Sequence, residues 1–371
     1  MIGNILDYCT ISGESVKKFE GIKKYIATGD IINNKIINYN EVDYITKPSR
    51  ANQIAKEGEV IFAKMKDTKK VIKIDKENSK YIYSTGFYII KPNEGILTDY
   101  IYWVLNSPKF NRDKDKNCKG ATQKALNNEG LKKIKINKIP DIVEQKRIVS
   151  KLNKIDKIIT KKKKQLMMLD ELIKSQFVEM FGDPIINEKN WNVDTIKNVA
   201  PRTKYVGKFD AKVWILNLDM IESGTGNIIE YMYEDLEKIK SSTCTFNEEY
   251  VLYSKLRPYL NKVVVPIRKG YATSEMIPLK PDITRVEKQF LAYLLRSEQF
   301  VNYISLKTIG AKMPRVSMEI FMKFNLILPP LSLQNQFSEI VKQIDKQKFE
   351  IEKSLKETQE LYESLMEKYF G

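Results

Sequence analysis

Hydrophobic residues recur at alternating spacings of four and three along two long segments of this 371-residue chain. A repeat sustained over more than four heptads is typical of a coiled coil. The 33 residues of positions 148–180 would span roughly 50 Å as a helix, which is longer than a small domain is wide. The pattern therefore favours two long helices that pair with each other. The predicted seam positions are Ile148, Leu152, Ile155, Ile159, Lys162, Leu166, Leu169, Ile173, Gln176 and Met180 in the first segment, and Phe337, Val341, Ile344, Lys348, Ile351, Leu355, Thr358, Tyr362, Leu365 and Tyr369 in the second.

The two segments carry opposite charge. Residues 146–174 hold ten Lys and Arg against three Asp and Glu, a net charge of +7. Residues 338–368 hold six Lys against eight Asp and Glu, a net charge of −2. Opposite charge favours pairing between the two helices over self-pairing. In an antiparallel pair within the chain, each seam lysine would face an aliphatic residue, Lys162 facing Leu355 and Lys348 facing Leu169.

The second half of the chain repeats the first. Residues 140–145 correspond to 329–334, and residues 155–157 correspond to 344–346, each pair separated by 189 positions. This period is far longer than the ~20–50 residues of a solenoid repeat. It predicts two similar lobes, and two lobes suit a target with two similar ends.

Each half has the same order of predicted elements. Short runs of β-branched and aromatic residues bounded by turn residues, such as 60–63 and 263–266, come first and are typical of strands. A shorter helical stretch follows, at 99–110 in the first half and 287–303 in the second. A glycine-containing loop and a proline-containing element then lead into the long helix.

Composition narrows the classes of function. The net charge is +16 and the pI is about 9.3, which points to a polyanion, because Lys and Arg that neutralise phosphates release condensed counterions. The alternative is a soluble protein from a lysine-rich proteome. The chain has no histidine, which excludes Ser-His-Asp and Cys-His catalysis and His-ligated metal sites. Carboxylate–Mg²⁺ chemistry stays open.

Three scattered cysteines, Cys9, Cys118 and Cys244, fit neither a metal site nor a disulfide framework. No stretch approaches the ~20 apolar residues of a membrane span, and the first residues lack the features of a signal peptide. We therefore expect a cytoplasmic protein with no membrane partner.

One short string resembles a nuclease motif. Asp141 and Glu144, followed by Lys146, give the order Pro-Asp…Glu-x-Lys. The two acids are too close in sequence for the separate strands that usually hold such a Mg²⁺ site, and the second copy has no carboxylate there. At a helix start they suit the helix dipole instead. Methyltransferase motifs, a Gly-x-Gly-x-x-Gly turn and a phosphate-binding Gly-Lys-Ser/Thr loop are missing from the sequence.

Basic loops occur at matching places in both halves. Lys, Arg, Gln and Thr are side chains that hold phosphates and contact base edges. Each loop alone is typical of a solvated surface, but the same placement in both halves favours binding. The candidate DNA-binding residues are Lys64, Lys66, Lys119, Thr122, Gln123 and Lys124 in the first half and Lys255, Arg257, Lys312 and Arg315 in the second.

Four sequence elements carry a family resemblance. They are residues 327–336, which open the second long helix, their counterpart 139–145, the Phe-Gly-Asp-Pro string at 181–184, and the Gly-Ala-Thr-Gln-Lys loop at 120–124. With these elements the chain resembles the specificity subunit of Type I restriction-modification systems over essentially its whole length. It departs from the usual pattern at Asp141, where a second proline is expected.

The resemblance implies an α+β fold with two similar target-recognition domains, 1–139 and 183–328. Two long helices, in segments 140–182 and 329–371, would join them as an antiparallel coiled coil in a pseudo-two-fold internal repeat. Each domain would bind one half of a bipartite site in double-stranded DNA.

The resemblance also implies partners. Methylation and cleavage would belong to separate subunits, with two methyltransferase subunits per chain and, where present, restriction and translocase subunits. S-adenosylmethionine would be bound by the methyltransferase, so that this chain would hold no cofactor and catalyse no reaction. Two alternatives remain: a DNA-modifying enzyme with an unrecognised active site, and a coiled-coil scaffold that does not bind DNA.

Overall fold

Two units with closely similar element order make up the chain in the computed structural model, which describes residues 2–239 and 243–371. Unit 1 comprises residues 1–161 and 354–371, and unit 2 comprises residues 162–353. The strands of unit 1 are β1 (Ile2–Asn4), β2 (Cys9–Ser12), β3 (Lys23–Ile26), β4 (Ile31–Ile32), β5 (Lys35–Ile36), β6 (Asn40–Val42), β7 (Ala51–Ile54), β8 (Val60–Ala63), β9 (Val71–Lys73), β10 (Ile82–Ser84), β11 (Phe87–Pro92) and β12 (Lys135–Asn137).

Helices α1 (Thr98–Asn106), α2 (Pro108–Lys116) and α3 (Asn128–Leu131) belong to unit 1, and α4 (Ile142–Phe181) begins there and ends in unit 2. The strands of unit 2 are β13 (Asn192–Thr195), β14 (Lys212–Leu216), β15 (Met232–Asp235), β16 (Thr243–Phe246), β17 (Val251–Ser254), β18 (Val263–Val264), β19 (Gly270–Thr273), β20 (Met276–Leu279), β21 (Thr308–Ile309), β22 (Arg315–Val316) and β23 (Asn325–Leu328). Its helices are α5 (Ile196–Val199), α6 (Lys288–Arg296), α7 (Glu298–Ser305), α8 (Met318–Met322) and the first part of α9 (Leu331–Phe370).

The sheets of the two units correspond. Unit 1 has a mixed sheet in the order β6-β3-β10-β7, in which β3 and β10 are parallel, and an antiparallel sheet β2-β11-β8-β9. Unit 2 has a mixed sheet β15-β14-β19-β16, in which β14 and β19 are parallel, and an antiparallel sheet β18-β17-β20. A short antiparallel pair precedes the long helix in each unit, β1-β12 and β13-β23. The α+β fold class with an internal repeat is thus confirmed.

Burial follows the predicted seam positions of the long helices. All twenty predicted positions in α4 and α9 are buried or partly buried, whereas most of the intervening residues are exposed. In unit 1, Ile148 and Leu152 share a hydrophobic core with Met366 and Phe370. The bounds of the two helices, 142–181 and 331–370, fall inside the segments expected from the sequence.

The helix pair within unit 2 is antiparallel. The ring centroids of Phe181 and Phe337 lie 5.5 Å apart, and Lys348 Nζ lies 2.6 Å from Asp170 Oδ1. The contacting residue numbers therefore increase along α4 while they decrease along α9. Lys348, which was expected to face Leu169, forms this ion pair with the next residue, Asp170. The lysine side chain is only 11% exposed, and a buried ammonium needs a charged or hydrogen-bonding partner, which Asp170 supplies.

A single short helix was expected before each basic loop, and the structure has two. Ser107 separates α1 from α2, and Ser297 separates α6 from α7. Each serine hydroxyl accepts a hydrogen bond from the backbone N–H three residues later, at 3.2 Å and 3.3 Å. Serine in this role caps the second helix, so a new helix can begin where the first one ends.

A buried glutamine in each repeated motif attaches the long helix to its unit. Gln145 accepts a hydrogen bond from the backbone N–H of Leu97, the residue that precedes α1, and its amide donates to two carbonyls. Gln334 accepts one from the backbone N–H of Glu287, which precedes α6, and likewise donates to two carbonyls. Both side chains are essentially inaccessible to solvent. Asp141 accepts hydrogen bonds from the backbone N–H groups of Val143 and Glu144, which caps the start of α4.

The ends of the two long helices also correspond. Phe181 packs against Phe290 with ring centroids 4.7 Å apart in unit 2, and Phe370 packs against Tyr100 at 5.4 Å in unit 1. Within unit 1, the backbone carbonyl of Gly371 accepts a hydrogen bond from the amide of Asn137, the residue that pairs with Ile2 in the β1-β12 ladder.

None of the helices in the described residues is long and apolar enough to cross a lipid bilayer.

Candidate nucleic-acid interface

The predicted basic residues of unit 1 converge on one loop cluster. Segment 64–66 follows β8, and segment 119–125 approaches it so that the backbone N–H of Leu126 donates to the carbonyl of Lys64 at 2.8 Å. The backbone N–H of Lys66 donates to the carbonyl of Lys124 at 3.0 Å. We call these two segments loop cluster 1. It contains Lys64, Lys66, Lys119, Thr122, Gln123 and Lys124.

The predicted basic residues of unit 2 form the corresponding arrangement. Segment 255–257 follows β17, and the backbone N–H of Val316 donates to the carbonyl of Lys255 at 3.0 Å. The backbone N–H of Arg257 donates to the carbonyl of Pro314 at 2.7 Å. We call segments 255–257 and 309–316 loop cluster 2. It contains Lys255, Arg257, Lys312 and Arg315.

Both clusters depend on a glycine with positive φ. Gly120 has φ +134° and Gly310 has φ +103°, conformations that residues with a Cβ rarely adopt. A Cβ at Gly120 would lie 2.4 Å from the carbonyl oxygen of Gln123, and one at Gly310 would lie 3.3 Å from that of Met313. The same tight turn therefore presents Gln123 in one unit and Met313 in the other.

The side chains of loop cluster 1 range from half-buried to exposed. Lys64 Nζ donates to the carbonyl of Thr85 at 2.9 Å and lies 4.4 Å from the centre of the Tyr88 ring. Burial lowers the pKa of Lys64. The amide of Gln123 donates to Met65 Sδ at 3.1 Å. Lys119 Nζ lies 3.5 Å from Glu129. The exposed side chains are those of Lys66, Lys119, Thr122, Gln123 and Lys124.

An acid outside the two segments, Glu275, contacts loop cluster 2, and sequence reasoning missed it. Glu275 receives the Arg315 guanidinium on both of its carboxylate oxygens, with Nε at 3.1 Å from each and Nη2 at 2.8 Å from Oε1. Lys255 Nζ lies 3.9 Å from the same carboxylate. The hydrogen bond from Arg315 holds the pKa of Glu275 below its ordinary value. Arg257 and Lys312 are exposed.

A buried lysine donates hydrogen bonds to the backbone of loop cluster 1 and of the residues that follow it. Lys114 in α2 is 1% exposed, and its ammonium donates to the carbonyls of Met65 and Thr68 at 3.0 Å and 2.6 Å. Burial lowers the pKa of Lys114. Its helix is strongly charged in sequence, which gave no signal that one of its lysines is buried.

The arrangement can hold an anion and present hydrogen-bond donors, because exposed ammonium, guanidinium and amide groups converge on one loop cluster in each unit. The described residues contain no group of three or more His, Cys, Asp or Glu side chains able to hold a metal ion. Asp141 and Glu144, the acids of the nuclease-like string, lie at the start of α4, where Asp141 caps the helix and Glu144 pairs with Arg147.

Comparison with known proteins matches this duplicated architecture. The family described as "Type I restriction modification DNA specificity domain" matches residues 2–168 and again residues 186–361. The Type I restriction enzyme EcoDI specificity subunit of Escherichia coli is 21% identical over 340 residues, which cover 80% of this chain and 74% of that protein. The MjaVIII specificity subunit of Methanocaldococcus jannaschii is 25% identical over 259 residues, which cover 60% of each protein.

Two solved structures share the fold. One comes from a study of complex assembly and conformational transition of the type I R-M system, with a TM-score of 0.61 at 17% identity, covering 100% of this chain and 97% of the other. The other is the S subunit of the Type I restriction-modification system of M. genitalium, with a TM-score of 0.60 at 12% identity, covering 100% and 96%. The chain belongs to the family of Type I restriction-modification DNA specificity proteins.

Proposed function

We propose that this chain is the subunit that selects the DNA sequence in a Type I restriction-modification complex. Unit 1 binds one half of a bipartite site in double-stranded DNA through loop cluster 1, and unit 2 binds the other half through loop cluster 2. The long helices dock two methyltransferase subunits, and restriction or translocase subunits join where the system has them. We expect the complex to bind and methylate DNA in the cytoplasm of the host cell.

One observation carries this proposal: the same basic loop cluster is built twice, by equivalent backbone hydrogen bonds, in a chain that contains two copies of one family domain. A single basic loop is often just a solvated surface. Two copies at equivalent positions, with ten candidate residues that are all Lys, Arg, Gln or Thr, are the arrangement that a site with two halves requires. Phosphate contacts from the lysines position the protein, and Gln and Arg can form paired hydrogen bonds with base edges.

The chain itself is proposed to be non-catalytic. The acids of the nuclease-like string have a structural role at the start of α4, and the similar proteins are named specificity subunits. S-adenosylmethionine is therefore expected in the methyltransferase partner, which transfers the methyl group to the base that this chain has selected.

The test compares methyl transfer to DNA by the chain alone, by a methyltransferase subunit alone, and by the two together. We expect sequence-specific methylation only for the combination. Mapping the methylated positions should give two short defined sequences separated by a spacer of arbitrary sequence.

Two outcomes would replace the proposal. Methyl transfer by the chain alone would mean a DNA-modifying enzyme with an unrecognised active site. Absence of DNA binding by the chain and by its complexes, at any salt concentration, would mean a scaffold that holds other proteins without contacting DNA.

A further inference from the structure

The ion pair between Arg315 of loop cluster 2 and Glu275 has a geometry suited to base recognition. We propose that Glu275 positions the Arg315 guanidinium to recognise a guanine in the half-site bound by unit 2, an inference that rests on the proposed function. Arg315 is 42% exposed at its side chain and Glu275 is 23% exposed. The arginine therefore reaches solvent, whereas the carboxylate lies closer to the protein and holds it.

The hydrogen bonds of Arg315 leave a defined set of donors. A guanidinium has five N–H groups. The Glu275 carboxylate takes the Nε–H and one N–H of Nη2, and the carbonyl of Met313 takes one N–H of Nη1 at 3.3 Å. One donor remains on each terminal nitrogen. Two donors are what a bidentate contact with O6 and N7 of guanine needs, and this is the commonest specific contact between arginine and a base.

The position of Arg315 in the fold also supports a role in base recognition. It opens β22, and Leu256 of segment 255–257 forms a β-bridge with it. The guanidinium is thus attached to a residue whose backbone is paired with neighbouring segments, and not to the turn of the loop. A second anchor on Glu275 removes most of the rotamer freedom of the side chain, so less conformational entropy is lost when a base is bound.

The backbone around Glu275 and Arg315 is repeated in unit 1, but the two side chains are not. The backbone carbonyl of Glu275 accepts a hydrogen bond from the N–H of Lys255, and in unit 1 the carbonyl of Gly86 accepts one from the N–H of Lys64. The bridge between Leu256 and Arg315 corresponds to the bridge between Met65 and Ala125. Unit 1 thus has Gly86 where unit 2 has Glu275, and Ala125 where unit 2 has Arg315. Both members of the pair occur in one unit only, as expected of residues that serve a half-site and not the fold.

An ordinary ion pair of unit 2 provides a matched control. Arg285 Nη2 lies 2.7 Å from Asp194 Oδ2, and the side chains are 40% and 24% exposed, close to the values for Arg315 and Glu275. Asp194 lies in β13, outside loop cluster 2. Exposed ion pairs contribute little to stability on average, so loss of either pair should leave the fold intact.

The experiment maps the bases methylated by the full chain together with its methyltransferase subunit on a library of duplexes with randomised positions. Wild type is compared with Arg315→Lys, Glu275→Gln and the control Arg285→Lys. We expect one position of one half-site at which wild type prefers guanine and Arg315→Lys does not, with a loss of preference of about 5- to 150-fold. Glu275→Gln should lower the preference at that same position, and Arg285→Lys should change no position.

A double variant guards against local misfolding. Glu275→Gly combined with Arg315→Ala installs the residues that unit 1 carries on the same backbone, and it should abolish the guanine preference while the other half-site is unchanged. The inference is overturned if Arg315→Lys affects no guanine, or if Glu275→Gln raises activity on all sequences equally, which would mean that the acid merely neutralises charge. A wild-type complex without sequence preference would instead refute the proposed function, and this inference with it.

Discussion

Loop clusters 1 and 2 share a backbone and differ in chemistry. In both, the segment after a buried strand receives equivalent backbone hydrogen bonds, and a glycine with positive φ forms the turn. On that backbone, unit 1 presents Gln123 where unit 2 presents Met313, and unit 2 adds the pair Glu275 and Arg315. The difference indicates that the fold holds the loops in place while the side chains vary, which is what the proposed binding of two different half-sites by two similar units would need.

The two units also differ in how they pack the long helices. In unit 2, Phe337 lies among Phe177, Phe181 and Tyr293, with ring centroids 5.3–5.5 Å apart. The equivalent residue in unit 1 is the aliphatic Ile148. The glutamine that attaches each helix is the same in both units. Loss of the glutamine should therefore lower stability equally in the two units. Loss of the buried residue at Phe337 or Ile148 should lower it unequally.

The largest expected effect is on the aromatic packing of unit 2. Phe337→Ala removes a fully buried ring and should lower the free energy of unfolding of unit 2 by about 4 kcal/mol, whereas Ile148→Ala should cost unit 1 about 3 kcal/mol. Urea denaturation followed by hydrogen exchange, which assigns each transition to a unit, measures both values. A larger loss from Ile148→Ala would mean that the aromatic cluster is not the better-packed core.

The buried glutamines should have equal and slightly smaller effects. Gln145→Ala and Gln334→Ala each leave a backbone N–H and two carbonyls without their partner, and should each cost about 2–3 kcal/mol in their own unit. The exposed Gln336→Ala is the control and should change stability by less than about 0.5 kcal/mol. If one glutamine proves dispensable while the other does not, the helices are attached differently in the two units.

The sequence predicted the helix seam well, because periodicity is a local signal. Spacings of four and three identified twenty positions that are all buried or partly buried, but they gave no sign of the ion pair between Lys348 and Asp170. An ion pair between two helices far apart in sequence depends on the register of one helix against the other, which no periodicity encodes. Gln145 and Gln334 were visible as a repeated polar residue at the start of an apolar helix, a signal that was present but was given no role.

The basic loops were found through repetition, but their internal partners were not. The equivalence of 64–66 with 255–257 is evident in the residues themselves. Glu275 lies 40 residues from Arg315 in sequence, on a turn between two strands, where nothing in the local pattern indicates a contact. Lys114 was likewise hidden, since its neighbours in α2 are charged and exposed or partly exposed residues.

The salt dependence of DNA binding should change by different amounts when Lys64 and Lys255 are removed. Lys64 has only neutral partners among its described contacts, a carbonyl and the Tyr88 ring, whereas Lys255 lies 3.9 Å from a carboxylate. Lys64→Ala should therefore weaken binding to all sequences and reduce the log–log salt slope by about 0.9, the value for one phosphate contact. Lys255→Ala should change the slope by less than half of that. Fluorescence anisotropy with a DNA duplex at several salt concentrations measures both, and equal slopes would show that Glu275 does not offset the charge of Lys255.

The central claim is that each unit binds one half-site, and methylation mapping of two single variants tests it most directly. Gln123→Ala removes a side chain of unit 1 and Arg315→Lys alters one of unit 2. In the complex with the methyltransferase, we predict that Gln123→Ala relaxes discrimination in one half-site only, by ~1–3 kcal/mol if its amide makes a bidentate base contact. Arg315→Lys should relax the other half-site only. If both variants change the same half-site, or if either changes both, the assignment of one half-site to each unit is wrong.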